Sequence, residues 1–399
     1  MTGDLRAGQT TSLTLGEIVR AALPDFSQTH RLPAHHWKVL RAIAACHTPA
    51  LGGHQYECAH CGRGHFVPHS CGNRHCASCQ RLKGAQWLEQ QTEHLLPIPY
   101  FHVVFTLPHE LNPLVQHNQA RLYSLLFSSA TATLLEFGRN NLKATLGVTA
   151  VLHTWGQNLG DHYHLHCVVT GGGLALDGAS WVALRPTWLF PVRALSLVFR
   201  AKFRDGLQHL FDAGQLQFPK AEPRLADPMG FTRWRRRLCR HKWVVYTKRP
   251  FAGPQAVLAY LCRYTHRVAI TNSRLEALDR QRGTVTFGYK AYAHDSQIRS
   301  MTLPQQEFLR RFCLHILPPR FVKIRHFGIL ANRDRAANIA QARTQLAKLP
   351  EKAEAAQKTV LTIKHVEPSP LVCPHCGCPA LVLIRVIDRP KGPPILDSS

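Results

Sequence analysis

Acidic residues are scarce in this chain: 399 residues carry 24 Asp and Glu against 49 Lys and Arg, a formal net charge of +25. The resulting pI near 10.0 argues for a polyanionic partner, with nucleic acid the first candidate. Long apolar runs are missing too. No stretch is long enough to span a bilayer and no basic amphipathic segment reads as a membrane anchor, so no membrane partner is expected. Met1 to Gln9 is polar and contains Asp4, unlike a secretory signal, which makes the cytoplasm the expected location. No Gly-x-x-x-x-Gly-Lys sequence occurs, so the phosphate-cradling loop of nucleotide hydrolases is excluded and no nucleotide is expected.

Cysteine, by contrast, is plentiful. Thirteen cysteines without a secretory signal point to metal rather than disulfides, above all where they come in Cys-x-x-Cys pairs. Cys58-Ala59-His60-Cys61 and Cys76-Ala77-Ser78-Cys79 have the spacing of a tetrahedral zinc site, and a closed shell of four thiolates leaves no place for substrate, so this zinc is expected to be structural. Cys71 and His75 lie between the pairs and are alternates in that ligand set. Farther on, Cys373, Cys376 and Cys378 offer half a zinc ribbon for a second zinc, with His365 or His375 to complete it.

The stretch His162-Tyr163-His164-Leu165-His166-Cys167-Val168-Val169, followed by Gly171-Gly172-Gly173, alternates histidine with apolar residues. In an extended chain His164 and His166 project to one face about 7 Å apart, close enough to share a metal ion. The segments around it read as strand (100–107), helix (113–137), strand (147–155) and the histidine strand itself, the last two joined as a hairpin. That order predicts an α+β fold, a central antiparallel sheet backed by helices. The hairpin brings Gln157 or His153 near the histidine pair as a third ligand, and Gln157 is the preferred candidate. The segments 266–271 and 283–289 are expected to close the same sheet, and 336–357 to act as a polar helical linker. The expected division is 1–96 for N-terminal helices and a zinc-binding module, 97–345 for the catalytic domain, and 346–399 for a linker and cysteine-containing segment.

Two further segments carry chemistry. Arg233-Trp234-Arg235-Arg236-Arg237-Leu238-Cys239-Arg240-His241-Lys242-Trp243 concentrates guanidinium groups that neutralise phosphates around two indoles, which either stack on exposed bases or pack inward from an amphipathic helix. Gln255 to Tyr264 reads as a short helix in which Tyr260 and Tyr264, four residues apart, share a face. Taken together, the cysteine-rich module, the His-x-His strand with its glycine triplet and the Tyr-Leu-x-Arg-Tyr-Thr-His-Arg run at 260–267 resemble the HUH-type, two-tyrosine rolling-circle transposases of bacterial insertion sequences. The resemblance covers roughly Tyr56 to Asn338. It implies an HUH endonuclease-like sheet, His164 and His166 as ligands of a catalytic magnesium or manganese, and Tyr260 and Tyr264 as nucleophiles that attack single-stranded DNA of the element ends and target. It also implies that Arg263 and Arg267 hold flanking phosphates. A plasmid replication initiator or relaxase would use the same chemistry, and a zinc-containing DNA-binding regulator would use none; the appended zinc module favours the transposase.

Overall fold

A computed structural model describes residues 13–80, 94–185, 189–240, 243–248, 257, 267–291, 297–349 and 372–389. The fold is α+β, with antiparallel sheets backed by helices. Contacts divide the described residues into two units: one drawn from 1–83, 267–316 and 362–399, the other from 84–266 and 317–361. This division departs from the expected order of domains along the chain. Residues 267–316 and the Cys373 segment both join the N-terminal unit, because hydrogen-bonded strand pairing and helix packing draw them there.

In the N-terminal unit, α1 (Leu15–Thr29) begins in a full capping box, with the Thr14 side chain accepting from the Glu17 amide and Glu17 accepting in return from the Thr14 amide. That arrangement satisfies two of the donors a helix start leaves open. α2 (Ala34–Ala45) follows, then a small sheet in which β1 (Gly53–Cys58) lies between β2 (Gly64–Pro68) and β12 (Leu381–Ile387). A second three-stranded sheet is made of β8 (Leu275–Asp279), β9 (Thr284–Ala291) and β10 (Gln297–Pro304). Segments 266–271 and 283–289 were expected to close the histidine sheet, yet 267–271 form no strand and 284–289 fall in β9. Instead β9 takes partners on both sides from its own neighbours in sequence, which is the pairing short hairpin loops favour.

The other unit is built on a sheet ordered β11-β4-β5-β3-β7, with β6 added to β5. Its strands are β3 (Tyr100–Thr106), β4 (Ala144–Trp155), β5 (Asp161–Ala175), β6 (Trp181–Ala183), β7 (Val245–Lys248) and β11 (Ile324–Gly328). α3 (Asn112–His117), α4 (Gln119–Phe137), α5 (Val192–Asp212) and α6 (Pro228–Leu238) supply the helices. Side chains alternate along each strand, so one face presents Phe101, Val103, Phe105, Val148, Ala150, Leu152, Leu165, Cys167 and Val169 to a core shared with Leu122, Leu126, Phe199 and Phe203 of the helices. The opposite face carries the histidines. α7 (Arg335–Ala347) was expected to be a linker, yet it buries Ile339 and Ala342 against Tyr100, Val168 and Val257, so part of the histidine face is roofed.

Candidate functional site

Antiparallel register decides which side chains meet on the histidine face. His153 of β4 lies directly opposite His164 of β5, and His166 lies opposite Val151 on one side and Val104 on the other. His153, His164 and His166 therefore converge, each offering one ring nitrogen, all three within 4.8 Å of one another. The register of the β4–β5 pair shifts between His153 and Trp155, a bulge of the kind that re-aims side chains beside functional sites. The His164 ring donates from Nδ1 to the His162 carbonyl at 2.8 Å. The Nδ1 of His166 shares a 2.9 Å hydrogen bond with Nε2 of buried His102. In both rings the Nδ1 contact sets tautomer and orientation, the role outer partners play around metal-binding imidazoles.

His102 is the residue that sequence reasoning passed over. It sits inside what reads as an ordinary buried strand, and only its pairing opposite Val168, one step along the same face from His166, reveals its place. Burial pushes its imidazole down to about 3, with the Lys248 ammonium adding to the effect, so it is neutral at pH 7. Gln157, the preferred third ligand from sequence, stands in the turn between β4 and β5. The imidazole in the cluster is His153, the other candidate. On the same face, two strands from His166 and therefore about 10 Å away, Tyr246 of β7 is exposed opposite Val104, and the exposed Lys248 is opposite His102.

Tyr260, Arg263 and Tyr264 lie outside the described residues. Val257, three residues before Tyr260 in sequence, is fully buried with Tyr100 and Val168, on the face that holds the histidines. Arg267 is half-buried and belongs to the N-terminal unit.

The arginine strip proves to be helix α6. Its period buries Phe231, Trp234 and Leu238 and leaves Arg233, Arg236 and Arg237 exposed, with Arg235 half-buried and Arg240 exposed in the turn that follows. Trp234 is thus a core residue, packed against Phe231, and not an exposed stacking platform; Trp243 is buried too, its indole donating to the Leu238 carbonyl. The exposed guanidinium groups remain a phosphate-binding surface.

The cysteines regroup. Cys76 and Cys79 meet Cys46 and Cys71, while Cys58 and Cys61 meet Cys373 and Cys376. The expected single set of Cys58, Cys61, Cys76 and Cys79 does not form, since the β1–β2 hairpin turns the first pair toward β12. Sequence reasoning missed Cys46, which caps the end of α2 without a second cysteine nearby to mark it. Cys71, an expected alternate, is a member; His75 is not among the clustered donors. In the first set the sulfurs of Cys46 and Cys79, Cys71 and Cys79, and Cys46 and Cys76 are each 3.6 Å apart. A zinc ion with thiolates at 2.3 Å needs edges of about 3.8 Å, so the donor set fits that ion. Hydrogen bonds from Cys46 and Cys71 draw the Cys76 thiol down, and Cys46, Cys76 and burial push the Cys71 thiol up, as expected of sulfurs packed tightly enough to share protons until a metal displaces them.

Comparison with known proteins agrees with both halves of this description. A "Transposase zinc-binding domain" model matches residues 18–107, and a "Putative transposase" model matches residues 147–337. "Putative transposase y4qJ" of Sinorhizobium fredii is 42% identical over 385 residues, covering 95% of each chain. "Transposase for insertion sequence element IS801" of Pseudomonas savastanoi pv. phaseolicola is 32% identical over 303 residues, covering 73% of this chain and 69% of its own. No solved structure matches the chain. Among the described residues no helix is long and apolar enough to cross a membrane. The chain belongs to the IS91-type transposases, enzymes of DNA cleavage and strand transfer that carry an N-terminal zinc-binding domain.

Proposed function

We propose that this transposase nicks and rejoins single-stranded DNA by tyrosine transesterification at the histidine face. The observation that carries the reading is the convergence of His153, His164 and His166. Three imidazoles fit a divalent cation and leave open coordination positions, and bound there it would act as a Lewis acid on the scissile phosphodiester. In the reaction, the Oη of Tyr260 or Tyr264 forms a bond to phosphorus as the bond to the 3′ oxygen breaks. The tyrosine proton is lost to solvent or a nearby base and the leaving 3′ oxygen takes one up, which yields a 5′-phosphotyrosine and a free 3′-hydroxyl. Attack by another 3′-hydroxyl reverses the step. Because bond energy is conserved, no nucleotide is consumed. A pair of tyrosines lets a second strand be transferred while the first is still attached.

Val257 supports the reading, since the residues after it in sequence lead to Tyr260 from a point already buried on the histidine side. Lys248 and Tyr246 supply an ammonium for a phosphate and a ring for a base on that face, and the exposed arginines of α6 extend the cationic surface.

The test is a denaturing gel with 3′-labelled single-stranded element-end DNA. Wild-type protein is expected to convert the label to a protein-linked species with manganese or magnesium and not with chelator; the same DNA as a closed duplex should stay uncut. Equal cleavage with and without chelator would refute the metal assignment. Since imidazole donors suit transition ions better than magnesium, manganese should saturate at the lower concentration. His102 acts through His166. His102→Leu is expected to weaken manganese binding by about 10- to 100-fold, the range for loss of an outer partner, and His102→Gln, which keeps a hydrogen-bonding group, should recover part of it. Calorimetric manganese titration reads both, and equal affinity for the Leu variant and wild type would remove His102 from the site.

A further inference from the structure

We propose that Cys58, Cys61, Cys373 and Cys376 bind one structural zinc ion, a ribbon-type site that staples β12 to the N-terminal module. The two cysteine pairs are built alike. Each is a Cys-x-x-Cys-Gly run: Cys58-Ala59-His60-Cys61-Gly62 and Cys373-Pro374-His375-Cys376-Gly377. In each, the first cysteine's amide donates to the carbonyl five residues on, Cys58 to Arg63 at 3.0 Å and Cys373 to Cys378 at 2.8 Å. In each, the glycine amide donates back to the first cysteine's carbonyl, Gly62 to Cys58 at 2.8 Å and Gly377 to Cys373 at 2.9 Å. Both glycines take the left-handed conformation this turn needs, with φ of 66° and 76°. These are two copies of one metal-binding knuckle, and they face each other.

Sulfur geometry agrees. Cys58 and Cys376 are 3.6 Å apart and Cys61 and Cys373 are 3.8 Å apart, across 318 and 312 residues of chain. Those separations are far beyond a disulfide bond and match the edges of about 3.8 Å expected around tetrahedral zinc.

An independent feature seats the strand. β12 pairs with β1 from Gly53 opposite Ile387 to Cys58 opposite Leu381, and the Ala59 amide donates to the Ala380 carbonyl at 2.9 Å. At the far end of this pairing, a side chain on Gly52 would collide with the backbone carbonyl of Ile387. The close approach of β12 therefore rests on a glycine on one side and on the cysteines on the other. Cys378 lies beside Cys376 and His60 but outside the four-sulfur set, so the structure assigns it no part in the staple.

Zinc content of the purified full chain tests this, measured by elemental analysis in a His164→Ala/His166→Ala background so that the histidine face does not contribute. About two zinc ions per chain are expected from the two four-cysteine sets. Cys373→Ser/Cys376→Ser should lose one, Cys58→Ser/Cys61→Ser should lose one, and the quadruple variant should lose no more than either. Cys378→Ser should keep both. Retention of all zinc by Cys373→Ser/Cys376→Ser, or loss of both ions in the quadruple variant alone, would overturn the proposal. A second measurement needs no substitution: wild-type protein is stripped of zinc, mildly oxidised, and its cross-linked peptides are mapped. Links between the Cys58/Cys61 and Cys373/Cys376 peptides support the staple, whereas links from Cys58/Cys61 to Cys76/Cys79 refute it.

Discussion

A chain carrying both Tyr260→Phe and Tyr264→Phe is expected to bind single-stranded element-end DNA as the wild type does and to form no covalent product with it. Phenylalanine keeps each ring and removes only the oxygen that would attack phosphorus, so binding and folding are expected to be preserved while the reaction loses its nucleophile. Removal of a nucleophile from a working constellation costs on the order of 10⁴- to 10⁶-fold in rate. The measurement is the rate at which a 3′-labelled strand enters the protein-linked band, with filter binding as the control for affinity. An adduct formed at the wild-type rate by the double variant would assign the chemistry to another residue. The single variants then separate the two tyrosines: a variant that still nicks but no longer joins a second strand identifies the residue used in the later transfer.

The second large effect is expected at the histidine pair. His164→Ala/His166→Ala removes two of three clustered imidazoles and should lower cleavage by about 10³-fold or more, the several kcal/mol of charge stabilisation a Lewis acid supplies. Manganese titration should lose its saturable phase in the same variant. The core on the opposite face of the sheet is untouched, so thermal unfolding should remain cooperative. His162→Ala is the matched control, because it is the His162 backbone carbonyl that orients His164, and the substitution leaves that carbonyl in place. Wild-type cleavage by the paired alanine variant would remove the histidine face from the reaction.

Both effects rest on residues that stand out in the sequence, and the reason is local periodicity. His164 and His166 are two apart, and any extended chain puts them on one face. Tyr260 and Tyr264 are four apart, which is one helical turn. The capping box at Thr14 and Glu17 is likewise a matter of three residues, and it forms as its spacing requires. Trp234 shows where such reading fails. Its arginine neighbours suggest an exposed strip, yet Phe231, Trp234 and Leu238 fall on one side of α6 and that side meets the core. Burial of an indole among apolar rings is the stronger tendency once a core surface is available.

From its sequence alone this chain determined a basic protein suited to a polyanion, an antiparallel α+β fold, and a His-x-His strand whose two rings share a face. It also determined cysteine pairs spaced as zinc knuckles. Tertiary structure decided the partners: His153 beside the histidine pair, His102 behind His166, Cys46 and Cys71 with Cys76 and Cys79, and Cys373 and Cys376 with Cys58 and Cys61. The physical reason is one of range. Helix and strand periods act over a few residues, whereas closing a ligand set requires atoms brought within about 4 Å through space. In this protein that closure is set by the registers of β3, β4 and β5 and by the pairing of β1 with a strand more than 300 residues away.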